Sequence, residues 1–220
     1  MGLDMYLERY PRYKWYGPRD INLVEEYAEW KKSGDGCSFK EWSGQEESAL
    51  PKAEDLEYLM GLIETRYWAW DDGHQFPHER IYEQVAYWRK ANAIHKWFVD
   101  NVQDGKDDCR YHREVTERDL EKLRDACKEV IESAVLIKGK VKNGERIKDG
   151  KWEPIYQDGL LVANPEVCHK ILPCEDGFFF GSTEYNEWYM NDIKNTYSKA
   201  VELLEQTDFE KQRLFYCSSW

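Results

Sequence analysis

The chain opens on a strict two-residue alternation. In "GLDMYLERY" (2–10), Leu3, Met5 and Leu7 fall on one side and Asp4, Tyr6 and Glu8 on the other. That is the pattern of a half-buried strand. Further strand candidates recur at 109–115 ("CRYHREV"), 177–182 ("GFFFGS") and 213–220 ("RLFYCSSW"). Helical periodicity fills the intervals between them. The 220 residues suit one domain, expected to span 1–220 with any appendage included, and they can bury a sizeable core without staples. The order of elements predicts an α+β fold: a mainly antiparallel central sheet with helices packed largely on one face. Residues 135–157 predict a small, basic, protruding β-hairpin or meander. Two hairpin-turn signals, Asn143-Gly144 and Asp149-Gly150, mark it.

The helices are expected at six places. Asp20 reads as the N-cap of one that runs to about Lys32 and stops at Gly34, with a loop over 33–50. A second covers 52–67, and a third runs from Pro77 to about Val102. Thr116 and Asp119 form a weakened capping box for a fourth, whose apolar face carries Leu120, Leu123, Cys127, Val130, Ile131 and Ala134. Pro165 opens a short helical turn. The last helix covers 184–206, with Tyr185, Tyr189, Ile193, Tyr197, Ala200, Leu203 and Leu204 along one side.

The stretch "YWRKANAIHKWFV" (87–99) raises the first functional question. With Trp88 at zero on a helical wheel, Ile81, Val85, Asn92, His95, Val99 and Val102 fall within about 60° of it. Asn92 and His95 then sit on the inward stripe, and buried polar groups need hydrogen-bond partners. One reading is a structural pair satisfied within the fold. The other is a pocket in which Trp88, Arg89, Asn92 and His95 hold a ligand, with His95 as acid, base or donor.

A second candidate lies at "FFFGSTEYNEWYMND". Ser182 or Thr183 is expected to cap the last helix there, and a strand–Gly–hydroxyl–helix junction favours an anion. Glu184 and Glu187 already satisfy the helix dipole, and the Walker lysine is missing. Ordinary capping therefore competes with ligand binding at Ser182 and Thr183.

Other chemistry finds little support in the pattern. The six cysteines include no CxxC pair. Cys168, His169 and Cys174 lack paired zinc spacing, and Pro77 separates His74 from His78, so no metal set is expected. "DDG" and "DGKDD" lack the calcium-loop order of ligands. There is no GxSxG elbow, and nothing calls for a cofactor.

The balance of 31 basic against 43 acidic residues gives −12, which argues against nucleic acid as a partner. No apolar run is long enough to span a membrane. Cysteine usage without a leader points to a reducing cytosol. The aromatics, with 10 Trp, 15 Tyr and 8 Phe, exceed what a small core needs, so some are expected at an interface.

"MGLDMYL", "YWRKANAIHKWFV" with "DG" and "DDC" after it, and "GFFFGSTEYNEWYMNDI" resemble a widespread family of small bacteriophage- and prophage-encoded proteins. The resemblance touches both ends and the middle, about a third of the chain. It implies work in the cytoplasm of an infected bacterium, and it implies no reaction. The leading expectation is an accessory protein that binds a host protein or signal without catalysis, with inhibition of a host defence system as one use. The alternative is a nucleotide-like or phosphorylated small molecule held around His95, in a binding protein or an enzyme.

Overall fold

The computed structural model describes residues 2–11, 18–34, 36–44, 54, 56–57, 60, 82–107 and 112–220. Its elements run β1 (Asp4–Pro11), α1 (Pro18–Ser33), α2 (Phe39–Ser43), β2 (Glu83–Arg89), α3 (Asn92–Val102), β3 (Arg113–Val115), α4 (Glu117–Ser133), β4 (Leu136–Lys148), β5 (Lys151–Val162), α5 (Pro165–Ile171), α6 (Glu187–Gln206) and β6 (Gln212–Ser219). The fold is α+β, with an antiparallel four-stranded sheet ordered β2-β1-β6-β3 and a separate two-stranded sheet β4-β5. Among the described residues, no helix is long and apolar enough to cross a membrane.

The chain divides into two compact units. One comprises Met1–Leu7, Val85–Thr207 and Leu214–Trp220, and the other Glu8–Gln84 and Asp208–Arg213. In the second, Leu23, Val24, Tyr27, Phe39 and Leu56 form a core, with Trp30, Trp42 and Met60 packed against it. Phe39 meets Tyr27 edge-on at 5.0 Å. Glu54, Leu56, Glu57 and Met60 are helical; the remainder of the helix expected over 52–67 lies outside the described residues. So do Pro77, the His74–His78 pair and Cys109.

In the first unit, alternation at the chain start builds β1 as expected, with Leu3, Met5 and Leu7 buried. β6 alternates likewise and buries Leu214 and Tyr216. Thr116 caps α4 with a complete box: its hydroxyl accepts from the Asp119 N–H at 3.2 Å, and the Asp119 carboxylate accepts from the Thr116 N–H at 3.2 Å. Leu120, Leu123, Cys127 and Val130 are buried on one face of α4, which packs against α6. There Ile193, Thr196, Ala200 and Leu203 are buried in turn. Ala134 is the C-cap of α4 and falls outside the helix proper.

Several expectations are corrected. α1 begins at Pro18, so Asp20 lies inside the helix and does not cap it. The loop over 33–50 contains α2, with its own capping box from Ser38 and Glu41. The long helix expected up to Val102 is a strand followed by a shorter helix. β2 ends at Arg89, Lys90 takes a left-handed φ of 60°, and α3 begins at Asn92. Trp88 and Ala86 point inward at strand spacing, whereas Tyr87 and Arg89 point out. Finally, "GFFFGS" is a turn and not a strand, with Phe178 95% exposed and Phe180 buried.

The 135–157 segment folds as one hairpin, longer than expected. Asp149-Gly150 is its two-residue turn, with φ of 50° and 76°, as a type I′ turn requires. Asn143-Gly144 is no turn. The register jumps between Lys142 and Glu145, so two residues of β4 oppose the single Ile155. That is a β-bulge, and the φ of 99° at Gly144 is what a glycine there permits.

Candidate functional site

The two sides of the Lys90 corner set the environment of the predicted pocket residues. Trp88, on β2, is buried and donates its indole N–H to the Thr196 hydroxyl at 2.9 Å. Arg89 points the other way, is exposed, and lies 4.0 Å from the Asp4 carboxylate. Asn92, in the first turn of α3, donates to the Phe180 carbonyl at 3.1 Å and the Ser182 carbonyl at 2.8 Å. It thereby ties down the turn that carries the three phenylalanines. Asn92 and Ser182 do come together, but through main-chain oxygen. The Ser182 hydroxyl accepts from the Glu184 N–H at 3.2 Å, and Thr183 is exposed.

His95 is 1% exposed. Its Nδ1 is 2.8 Å from the Tyr216 hydroxyl, and its Nε2 is 3.2 Å from Asp107 Oδ2, with the N–H direction off line for a hydrogen bond. Burial holds the Tyr216 phenol far above its ordinary pKa, so it keeps its proton. Donation of that proton to Nδ1 places the imidazole hydrogen on Nε2, near Asp107 but not hydrogen-bonded to it. Rings close the rest of the space. Phe180 meets His95 edge-on at 5.1 Å, Phe98 stacks on Tyr216 at 3.9 Å, and Trp220 meets Phe180 at 5.8 Å. The Trp220 indole N–H reaches Asp107 Oδ1 at 3.4 Å. This Asp107–His95–Tyr216 chain joins α3 to β6. Of the six predicted residues, Trp88, Asn92 and His95 are buried and Arg89, Ser182 and Thr183 are exposed, and Asn92 and His95 have separate partners.

The helix-end reading moves as well. α6 starts at Glu187, and Asn186 is its N-cap, accepting from the N–H of Trp188 at 3.0 Å and of Tyr189 at 3.3 Å. Ser182 and Thr183 therefore lie before the cap. Tyr185 precedes the helix and receives the Cys174 N–H at 3.3 Å, while His169 Nδ1 is 3.3 Å from the same hydroxyl. Burial pushes the Cys174 and Cys127 thiols up to about 12. Both stay protonated at neutral pH, which makes them poor nucleophiles and poor ligands.

The surface that sequence reasoning did not assemble is the β4-β5 hairpin. Ile147 and Trp152 are cross-strand partners, 64% and 68% exposed, and Tyr156 follows on the same face at 56%. Ile137 and Ile155 are exposed too. Lys138, Lys140 and Lys142 share the outward face with Tyr156, opposite Leu160, Asp158 and Tyr156 respectively. A shallow, open depression of about 630 Å³ is lined by Lys138, Gly139, Lys140, Asp158, Gly159 and Leu160. Gly139 and Gly159 are register partners, and a Cβ at Gly159 would stand 2.6 Å from Val141 and from Glu187. Gly159 thus lets the Glu187 side chain at the start of α6 approach the hairpin, while Gly139 makes room for Leu161. The signal was present in "DGKWEPIY": Trp and Tyr two and six residues past a tight turn, in a strand with polar neighbours, have no core to enter. The chain matches no protein-family model, no curated protein and no solved structure.

Proposed function

We propose that this protein acts by non-catalytic binding, and that the outward face of the β4-β5 hairpin is its contact surface. The observation that carries the reading is the gathering of Ile147, Trp152 and Tyr156 on the outward face of one exposed ribbon. Large apolar side chains grouped on a surface mark interaction sites, and Trp and Tyr dominate the energetics of such sites. A two-stranded ribbon is also marginal alone in water, so a partner that covers it adds stability. The resemblance to phage-encoded proteins supports a host protein as the partner, with a defence component as the use.

The alternative, a nucleotide-like ligand around His95, draws less support. His95 is enclosed, and Asn92 spends both amide hydrogens on main-chain carbonyls.

The test is capture from bacterial cytosol on immobilised wild-type protein and on Trp152→Ala/Tyr156→Ala, followed by titration of the purified captured protein against both. The reading expects at least tenfold weaker binding to the double variant with an unchanged melting temperature. Equal affinity for both proteins would overturn it.

A further inference from the structure

Resting on the binding reading, the geometry points to the mode of recognition: we propose that the outer edge of β4 accepts an extended, acidic segment of a partner as an added antiparallel strand.

The edge is open. Among the described residues no strand pairs with β4 except β5. The far edge of β5 is engaged at its base, because the Val162 N–H reaches the Tyr185 carbonyl at 3.0 Å and Leu161 bridges Asn186. That bond also fixes the phase of the ladder. The Val162 amide points away from β4, so the Leu136–Val162 pair is not a hydrogen-bonded one, and pairs alternate along an antiparallel ladder. The main-chain groups of Lys138, Lys140 and Lys142, at every second place from Leu136, therefore face outward from the hairpin. The Lys142 N–H shows what such a position takes: it donates to the Glu184 carboxylate at 3.3 Å.

The charge of the edge selects the occupant. β4 carries Lys138, Lys140, Lys142, Arg146 and Lys148 against one acid, Glu145, in a chain of net charge −12. Alternate residues of a strand stand about 6.6–6.8 Å apart. A paired strand with acids at every second position would set them opposite the lysine row, where opposite charges stabilise and like charges do the reverse. Asp158 pairs with Lys140 at 2.7 Å and Glu145 with Lys142 at 2.5 Å, whereas Lys138 has no ion pair among the described residues. A second copy of the chain fits worse, because an antiparallel β4–β4 pairing would bring the two lysine rows together. Lysine is a common guard on edge strands for that reason. A guarded edge that still offers the amides of Lys138 and Lys140, with that of Lys142 already taken by Glu184, is selective for an acidic strand, as in recognition by strand addition.

The probe is a ten-residue peptide alternating Glu and Val, with a Lys–Val peptide as control, titrated by fluorescence anisotropy into the full chain at low salt. The expected result is saturable binding of the Glu peptide alone, with slowed amide exchange at Lys138 and Lys140. Lys140→Pro removes one outward N–H without touching the ladder to β5 and should weaken binding at least tenfold. Lys138→Glu/Lys140→Glu, which keeps every amide, should transfer the preference to the Lys peptide. Absence of saturable binding, or wild-type affinity in both variants, overturns the proposal. Tighter binding of an oligothymidylate than of the Glu peptide overturns it in favour of nucleic acid, and a dimer abolished by Lys140→Pro overturns it in favour of a second copy. If the captured host protein loses affinity for Trp152→Ala/Tyr156→Ala but not for Lys140→Pro, the binding reading stands and strand addition falls.

Discussion

Removing the His95 ring would take from the wholly enclosed Tyr216 hydroxyl its acceptor at 2.8 Å, with the Ser218 side chain left as its other hydrogen-bond partner. The lost hydrogen bond and the cavity beside it together cost about 3 kcal/mol. His95→Ala should therefore lower the urea midpoint by a corresponding amount, while Tyr216→Phe, which keeps the ring stacked on Phe98, should cost less. Equal stability of His95→Ala and wild type would contradict the network. Asp192 supplies a pH test. Burial pushes its carboxyl up from 3.8 to about 6. Below about pH 4 the group is neutral folded or unfolded and exerts no effect. Between pH 4 and 6 the unfolded chain ionises first, so stability falls as pH rises through that window. Asp192→Asn removes the penalty. It should match wild type near pH 3.5 and exceed it by on the order of 3 kcal/mol above pH 6.5. A constant difference across that range would show that the carboxyl titrates normally. At this scale the sequence was informative about inwardness: Asn92 and His95 both proved buried. Their partners were illegible, because Phe180, Ser182 and Tyr216 lie 88 to 121 residues away along the chain.

Elements were legible where one local signal sufficed. The Thr116–Asp119 box needs only four residues, and the start of α4 was read correctly from them. Thr116→Ala should cost about 1 kcal/mol of stability, as the loss of an N-cap hydroxyl usually does. Thr116→Asn should restore most of it, and thermal melts of the three proteins decide. β1 and β6 were legible from alternation, and the tip of the hairpin from Asp149-Gly150. The β2–α3 boundary was not. The residues at 85–88, Val-Ala-Tyr-Trp, fit a helical stripe as well as a strand, and short apolar runs do not separate the two. The break itself falls on Lys90, a non-glycine at positive φ, held by its N–H to the Leu3 carbonyl at 2.8 Å. Nothing in the residue type announces that turn. Asn143-Gly144 failed the opposite way. A turn dipeptide is also a bulge dipeptide, since both need a residue that accepts positive φ.

For the whole molecule, the question is whether function resides in an enclosed site or on a surface. The sequence placed both an excess of aromatics and a basic protruding segment, but on separate lines of argument. Their coincidence on one ribbon depends on β-register, which no local pattern fixes. The enclosed alternative makes a sharp prediction of its own. A ligand that binds the folded chain alone raises its melting temperature, by an amount set by concentration over Kd; at a hundredfold excess over Kd the gain is about 2.7 kcal/mol. A pocket around His95 would have to open first, displacing Phe180 or Trp220 from its packed position. The cost of that opening is subtracted from affinity. Mononucleotides and cyclic dinucleotides at millimolar concentration should therefore leave the melting temperature of the protein unchanged. A rise that disappears in Asn92→Ala, where the tether on the 177–182 turn is cut, would place the ligand at that site and remove the surface reading. A rise that persists there but is lost with Lys138→Glu/Lys140→Glu would put the anion on the hairpin, in the depression between Lys138 and Leu160.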